Sequence, residues 1–586
     1  MNQIICLCHY KNDTKDLNKE IERINKLLKN QYLHKHSLSD HLIMCYKKHQ
    51  CMNYRIKNKD YSILYNGEIY NILDIKKELL MKNYIFQTND EAEVILAAYD
   101  AYKEKCLEIF NGGFTFIIHD GQQLFVARDI MGIKPLYYTT KNNTLIISNE
   151  IKSILAYLNE AIVDQEGIKE LLGLGPSCTP GKTIYKDINS LRPAHYMIYD
   201  GNINIYRYWH PVDLEHNDSL EETIHKVKSI VIDSIQKQMD HHCSTMLSGG
   251  LDSSIITSIA SQFTNPITTY SLSYEEQKEH FKAYEYQTTM DDDYIKEMID
   301  LYHTNHVNIE LTQQELVDYL EESLIARDMP GMADIDSSFY LFSKEISQNH
   351  KICLSGECAD EFMGGYPWFY KKELYNQPYF PWMRDLDEKI KLFHPSIRKL
   401  NIKDYIIEQY KKTLEEIKTK DFKKQMMYLN KEWFMQTLLM RCESQTINSS
   451  LTVRVPFASK ELFEYVYNIP YDYMFLNNEE KGLLRKAFED FLPEDIAHRK
   501  KNPFPKTHHP LYTKLIIEKL EETLKDETNI LYQLFDKKAL FDLIQTKGES
   551  FQYPWYGQLM TGPQLLAYFY QIALWGKIYK IKLIKE

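Results

Sequence analysis

No apolar run in this chain of 586 residues reaches the length a bilayer span needs, roughly 20 residues, so no membrane partner is expected. A basic excess is missing too. The 82 Asp and Glu outnumber the 70 Lys and Arg, leaving a net charge of -12 with His neutral. Nucleic-acid phosphates need a cationic face, so no nucleic-acid partner is expected either. The Lys runs, such as Lys57 to Lys59 and Lys577 to Lys585, are short or interleaved with apolar residues, as solvated faces are. The start, Met-Asn-Gln-Ile-Ile-Cys-Leu-Cys, has no basic n-region and no long apolar run. It reads as a strand rather than a secretion signal. Zinc-ligand spacing is absent among the ten cysteines: one residue separates Cys6 from Cys8, and four separate Cys353 from Cys358. Free thiols in a reducing cytoplasm are the expectation. There is no internal repeat and no low-complexity tract.

What is present is the composition of an ordinary globular protein, 44% hydrophobic and 26% charged. The chain is too long for one core, and two domains are expected, over 1–210 and 211–586. The first carries short β-branched and aromatic runs, among them Tyr61 to Leu64, Phe114 to His119, Leu124 to Ala127 and Leu145 to Ser148. Asn66-Gly67, Asn111-Gly112-Gly113 and Asp120-Gly121 read as turns between them. Helical patterns cover 15–29 and 91–104. This predicts an α+β domain with antiparallel sheets. The polar, acidic stretch Asp213 to Ser219 reads as a linker. Helix and strand patterns then alternate from 220 to about 365, which predicts parallel βαβ units. The remainder, from about 385, reads as mostly helical.

The strongest chemical signal is Ser248-Gly249-Gly250-Leu251-Asp252-Ser253-Ser254. It follows a strand-like run, Cys243 to Leu247, and precedes a helical one, Ile255 to Gln262. A Gly-Gly turn lets the backbone approach a ligand closely. The N–H groups of the next helix start and the Ser hydroxyls form an anion cradle. Asp252 sits where a carboxylate can hold Mg²⁺ against phosphate oxygens. The bland alternative is a plain glycine-rich turn. A Walker-A loop is excluded, since that motif ends in Gly-Lys-Ser/Thr.

A second cluster, Ser355-Gly356-Glu357-Cys358-Ala359-Asp360-Glu361, also follows an apolar strand end, Ile352 to Leu354, and precedes Gly364-Gly365-Tyr366. Ligands collect at the carboxyl ends of parallel strands, so both clusters should face one crevice. Three carboxylates within five residues are costly together unless a cation or a charged ligand offsets them. Alone, the cluster could equally be a solvated acidic helix start.

The first loop resembles the pyrophosphate loop of the N-type ATP pyrophosphatases. With the second cluster the chain resembles the glutamine-hydrolysing asparagine synthetase family over nearly its whole length. Arg327-Asp328-Met329-Pro330-Gly331-Met332-Ala333-Asp334, Arg454-Val455-Pro456-Phe457, Lys481 to Lys486, Arg499-Lys500-Lys501 and Pro505 to His508 add to the match. The resemblance implies an α+β N-terminal-nucleophile (αββα) domain. An α/β adenine-nucleotide α-hydrolase-like domain of the ATP pyrophosphatase type follows it, with a helical C-terminal part. It implies ATP and Mg²⁺ as cofactors. Ser248 to Ser254 and Gly356 would bind ATP and pyrophosphate, and Asp252 and Asp360 would hold the metal. Glu357 would assist attack of a nitrogen nucleophile on an acyl-adenylate, and Lys501 would neutralise charge as pyrophosphate forms. The β-lactam synthetases resemble this family but carry Tyr at the position of Glu357, so Glu357 favours intermolecular amidation.

Residues 1 to about 200 resemble the class II glutamine amidotransferase domain, through Asn66-Gly67-Glu68-Ile69-Tyr70-Asn71, Ala127-Arg128-Asp129 and Gly132 to Tyr138. The catalytic parts depart from it. The family places a nucleophilic Cys directly after the initiator Met; here that residue is Asn2, whose amide is no such nucleophile. The family's Arg-Gly-Pro-Asp segment is missing, and its carboxylate-clamping Arg corresponds to Lys47, which has no bidentate fork. Its Gly-Ser-Asp reads Asn89-Asp90-Glu91. Asn2, Lys47, Asn66, Gly67, Glu68 and Glu91 are therefore expected to form a vestigial glutamine site. In the other domain, Arg441 to Ile447, Ser450-Leu451-Thr452 and Ser459 depart from the family on the acceptor side.

The expected function is ATP-dependent amide formation, with aspartate as the default acid and glutaminase activity lost. Alternatives are a paralogue acting on a different acid or peptide carboxylate, or a catalytically dead scaffold. The expected partners are a small-molecule carboxylate and ammonia or an amine, with a homodimer as the assembly.

Overall fold

The computed structural model describes residues 3–9, 17–29, 34–39, 41–47, 51–240, 242–283 and 287–585. They form two compact units. The first comprises 1–161 with 180–212, and the second 162–179 with 213–586.

The first unit holds two six-stranded sheets. One runs, in spatial order, Asn189–Ser190, Tyr137–Lys141, Thr144–Ser148, Ile4–His9, Leu42–Tyr46 and His34–Ser39. The other runs Ile203–Arg207, His195–Tyr199, Leu124–Arg128, Gly112–His119, Lys59–Ile69 and Cys51–Ile56. Every pairing in both is antiparallel. Alternate residues of Ile4–His9, Thr144–Ser148 and Leu124–Arg128 turn inward into a core containing Ile4, Cys6, Leu124, Val126, Leu145 and Ile147, as a period of two requires. The helices Ile72–Met81 and Glu91–Tyr102 cover the second sheet through Ile75, Leu79 and Ile95. The helices Leu17–Leu27 and Ile151–Leu158 lie on the first. This is the αββα architecture.

Two of the three expected turns fail here. Asn66-Gly67 is not a turn: it lies inside the strand Lys59–Ile69, opposite Gly112–His119, and Gly112-Gly113 belong to that partner strand. Gly67 has φ +146 and pairs with Phe114; a Cβ on it would stand 2.6 Å from Phe114 Cα. The glycines there permit a close crossing of strands rather than a reversal of the chain.

The second unit is built on a five-stranded sheet in the order Asn305–Leu311, Thr268–Tyr274, Cys243–Met246, Ile352–Leu354, Thr452–Arg454. All four pairings are parallel. The predicted βαβ units are present. The edge strand Thr452–Arg454 was not legible in a region read as helical. It is three residues long, too short for a period to show. From Cys243–Met246 the chain proceeds first to one side of the sheet and then, at Ile352–Leu354, to the other. The gap between these two strands is the topological switch point, where crevices open at the carboxyl ends. Among the described residues no helix is long and apolar enough to cross a membrane, and no disulfide joins the cysteines whose side chains are described.

Candidate active site

Both chemically marked loops leave the sheet at this switch point. Gly249 has φ +65, and a Cβ there would meet Tyr294 Cβ at 2.6 Å, so only glycine fits the turn. Gly250 caps the helix Leu251–Ala260. That helix starts earlier than the sequence suggested, which places Asp252, Ser253 and Ser254 in its first turn. Ser253 Oγ donates to Gly250 O and accepts from Ser248 N, closing the loop on itself. From the neighbouring strand, Gly356 comes so near that a Cβ would lie 2.9 Å from Asp252 Cβ and 3.0 Å from Ser253 N. The two loops thus meet backbone to side chain.

Their carboxylates converge on cations. Lys481 Nζ lies 2.6 Å from Asp252 Oδ2 and also pairs with Asp360 Oδ1. Lys501 Nζ lies 2.8 Å from Asp360 Oδ2. Burial raises the Asp252 carboxyl above its ordinary range, with Asp360 adding to the rise and Lys481 opposing it. Asp360 is pushed up by the same burial, but Lys481 and Lys501 together outweigh it and hold its carboxyl low. Glu361, buried and facing Asp360 and Glu357, is raised to about 8, and Tyr366 donates its hydroxyl to it at 2.8 Å. The third carboxylate, Glu357, accepts from Arg441 Nη2 at 2.5 Å. The predicted cation offset of the acidic cluster is therefore supplied by three side chains of the chain itself: Lys481, Lys501 and Arg441.

These groups line a cavity of ≈ 220 Å³. Ser248, Gly250, Leu251, Asp252, Ser253, Gly356, Glu357, Asp360 and Lys501 all line it. Gly249 and Ser254 are not among the lining residues. Sequence reasoning missed Lys481 and Arg441 as site residues, although both lie in segments already singled out. Neither neighbours its carboxylate partner in sequence, so nothing local marked them. Arg499 was also missed. Its Nη2 pairs with Asp291 Oδ1 at 2.5 Å and its Nη1 donates to Ser248 O at 3.2 Å, which ties the loop to a third segment.

The donor set suits a hard divalent cation. Asp252 and Asp360 both face the Lys481 ammonium, and Asp252 Oδ1 is buried without a hydrogen-bond partner among the described residues. An orphan anionic oxygen in a phosphate-sized crevice fits Mg²⁺.

Residues 226–576 match the family model described as "Asparagine synthase". This chain belongs to the asparagine synthase family. Residues 42–209 match the model of a glutamine amidotransferase domain. Asparagine synthetase [glutamine-hydrolyzing] 3 of Bacillus subtilis is 44% identical, over 90% of this chain and 88% of the relative. Asparagine synthetase [glutamine-hydrolyzing] 1 of the same organism is 28% identical over 77% of this chain and 76% of the relative. A putative asparagine synthetase of Methanocaldococcus jannaschii is 28% identical over 55% of this chain and 64% of its own.

In the amidotransferase unit, the family's structural motif is built as a closed hydrogen-bond knot. The Asp129 carboxylate, fully buried, accepts from the backbone N–H of Phe114, Gly132, Ile133 and Lys134. Arg128 donates to the carbonyls of Gly132, Lys134 and Leu191. The positions expected to form the vestigial glutamine site are placed as follows. Glu91 turns inward, accepting from Ile69 N at 2.6 Å and Tyr65 Oη at 3.0 Å. Burial raises its carboxyl to about 7, against those two donors, with nearby Glu68 adding to the rise. Asp90 is spent on capping the helix that follows, accepting from Ala92 N. Lys47 is half-buried at the end of the strand Leu42–Tyr46, its N–H donating to Gln3 O. Asn66 is buried within its strand. Asn2 lies outside the described residues.

Proposed function

We propose that this chain adenylates a small-molecule carboxylate with ATP and transfers ammonia to it, with aspartate as the acid. The supporting observation is the convergence of Asp252, Asp360, Lys481 and Lys501 where the two strand-end loops meet. A carboxylate oxygen of the acid attacks the α-phosphorus, and the bond to the β-phosphate oxygen breaks, releasing pyrophosphate. Such a displacement needs positioning and positive charge more than covalent help. Ser248, Gly250, Leu251, Ser253 and Gly356 supply backbone N–H groups and hydroxyls to the phosphates, and Lys501 offsets the charge of the departing pyrophosphate. Asp252 and Asp360 would hold Mg²⁺, which when bound neutralises triphosphate charge. Ammonia then attacks the acyl carbon, Glu357 takes the surplus proton, and AMP leaves. The products are amide, AMP and pyrophosphate.

Free ammonia, rather than glutamine, is our proposed nitrogen donor. Asn2 supplies no thiol, and Glu91 and Asp90 are committed to the protein's own backbone and hydroxyl groups. Exchange of labelled pyrophosphate into ATP, run over a panel of acids, tests the proposal. Exchange that depends on aspartate, followed by asparagine formation with ammonium, is the expected result. Exchange with another acid and none with aspartate would replace the substrate. No exchange with any acid would leave a binding protein.

A further inference from the structure

Four carboxylates line the crevice, and each already faces a cation of the chain. Asp252 and Asp360 meet Lys481, Glu357 meets Arg441, and Asp291 meets Arg499. The lining hydroxyls and the Asn502 amide hydrogen-bond within the chain as well. Two polar side chains of the lining have no hydrogen-bond or ionic partner among the described residues, Lys500 and Gln558. Lys500 is exposed and offers donors only. Gln558 is half-buried, and its amide offers an acceptor oxygen.

The loop that carries Gln558 is fixed from several sides. Trp555 N donates to Met560 O at 2.9 Å and Thr561 N to Leu559 O at 2.8 Å. Gly557 has φ +61, and its N–H donates to Trp382 O at 3.1 Å. A Cβ on Gly557 would stand 3.4 Å from the Phe434 ring. Tyr556 is buried and stacks on that ring with centroids 5.4 Å apart, and its hydroxyl lies 3.0 Å from Thr437 Oγ1. Phe434, Leu438 and Arg441 stand four and three residues apart on continuous helical turns, so they share one face, and all three line the crevice. Gln558 thus belongs to the wall that runs on to Arg441 and Glu357, where the amide forms in the reading above.

Aspartate brings an α-ammonium into this crevice. A cation taken out of water needs an acceptor, and leaving it without one is costly. With the four carboxylates engaged, Gln558 Oε1 is the uncommitted side-chain acceptor. Being neutral, it adds no negative charge beside a triphosphate. We infer that Gln558 accepts a hydrogen bond from the α-ammonium of the acid, and so selects amino acids over acids that lack the amine. The inference rests on the amidation reading above and adds a specificity-determining residue to it.

The test compares aspartate with succinate, which keeps both carboxylates and lacks the amine, in acid-dependent exchange of labelled pyrophosphate into ATP. The wild-type chain should prefer aspartate by about 10- to 100-fold in kcat/KM, the worth of one hydrogen bond to a charged group. Malate, whose hydroxyl can donate to the same oxygen, should fall between, a measurement that needs no variant to fold. Gln558→Leu, similar in size and without polar atoms, should collapse the preference to about two-fold or less, chiefly through a raised KM for aspartate, with the KM for succinate and for ATP unmoved. Gln558→Glu keeps an acceptor and should keep the preference for aspartate. Equal loss for both acids in Gln558→Leu, loss of the preference in Gln558→Glu, or wild-type use of succinate as readily as aspartate would each overturn the inference. Wild-type exchange with none of the three acids would overturn the aspartate reading and this inference with it. An active wild type whose preference Gln558→Leu leaves intact would overturn this inference alone.

Discussion

Lys481 bridges Asp252 and Asp360, its Nζ 2.6 Å from Asp252 Oδ2 and in contact with Asp360 Oδ1. The three groups are nearly removed from water, with side-chain exposures of 3%, 17% and 12%. The lysine joins two loops that lie more than a hundred residues apart in sequence. Without it, two carboxylates would face each other across a buried gap. Lys481→Met should therefore destabilise the second unit by roughly 3–5 kcal/mol, the usual cost of stranding a buried charge. Added Mg²⁺ should restore part of the loss. Urea unfolding with and without Mg²⁺ checks this; wild-type stability in the variant would mean the lysine is dispensable to the fold.

Asp252→Asn and Asp360→Asn should each abolish AMP and pyrophosphate formation. Removing one carboxylate from a shared metal site typically costs several kcal/mol of charge stabilisation. AMP release at a near-normal rate from Asp252→Asn would refute the metal assignment.

Glu357→Gln keeps the hydrogen bond to Arg441 possible and removes the negative charge. Amide formation should drop by about 10²- to 10⁴-fold, the worth of general-base help. AMP should continue to appear as stranded adenylate hydrolyses. AMP and amide are measured in one reaction. Strictly parallel losses would assign Glu357 to activation of the acid instead.

No glutamate should be released from glutamine, with or without ATP. Asn2→Cys alone should restore little, because Lys47 and Glu91 also depart from the family's glutamine site. Turnover above a heat-killed control in the wild type would show that another group has taken the role of the thiol.

Glu91 makes stability depend on pH. Its carboxyl is raised from 4.5 to about 7 by burial. Between those values the folded chain keeps a proton that the unfolded chain has lost, so stability falls as pH rises through the window. The contribution is fully present below pH 4.5 and gone above about pH 7. In Glu91→Gln the urea midpoint should vary less across this range than in wild type. An unchanged slope would show that Glu91 does not carry the dependence.

The sequence alone determined the motifs and their order. Strand, Gly-Gly turn and helix at 243–262, and strand, glycine and acidic cluster at 352–361, were legible because each is a local pattern of period, turn residue and charge. They implied a parallel sheet with one crevice, and the family followed from them. The antiparallel first domain was legible from its short β-branched and aromatic runs, although two of the turns read between them lie inside strands.

Tertiary structure decided what lies between such segments. That Lys481 sits on Asp252, that Arg441 holds Glu357, and that Gly356 touches Asp252 all depend on which strand lies beside which. No local pattern encodes a contact across 84 residues, as between Glu357 and Arg441, or 229, as between Asp252 and Lys481. The same holds for Asn66-Gly67. Its composition fits a turn, yet Gly67 and the partner strand's Gly112 let two backbones approach closely and keep the strand going. Local propensity is a weak bias, and pairing with a neighbouring strand overrides it.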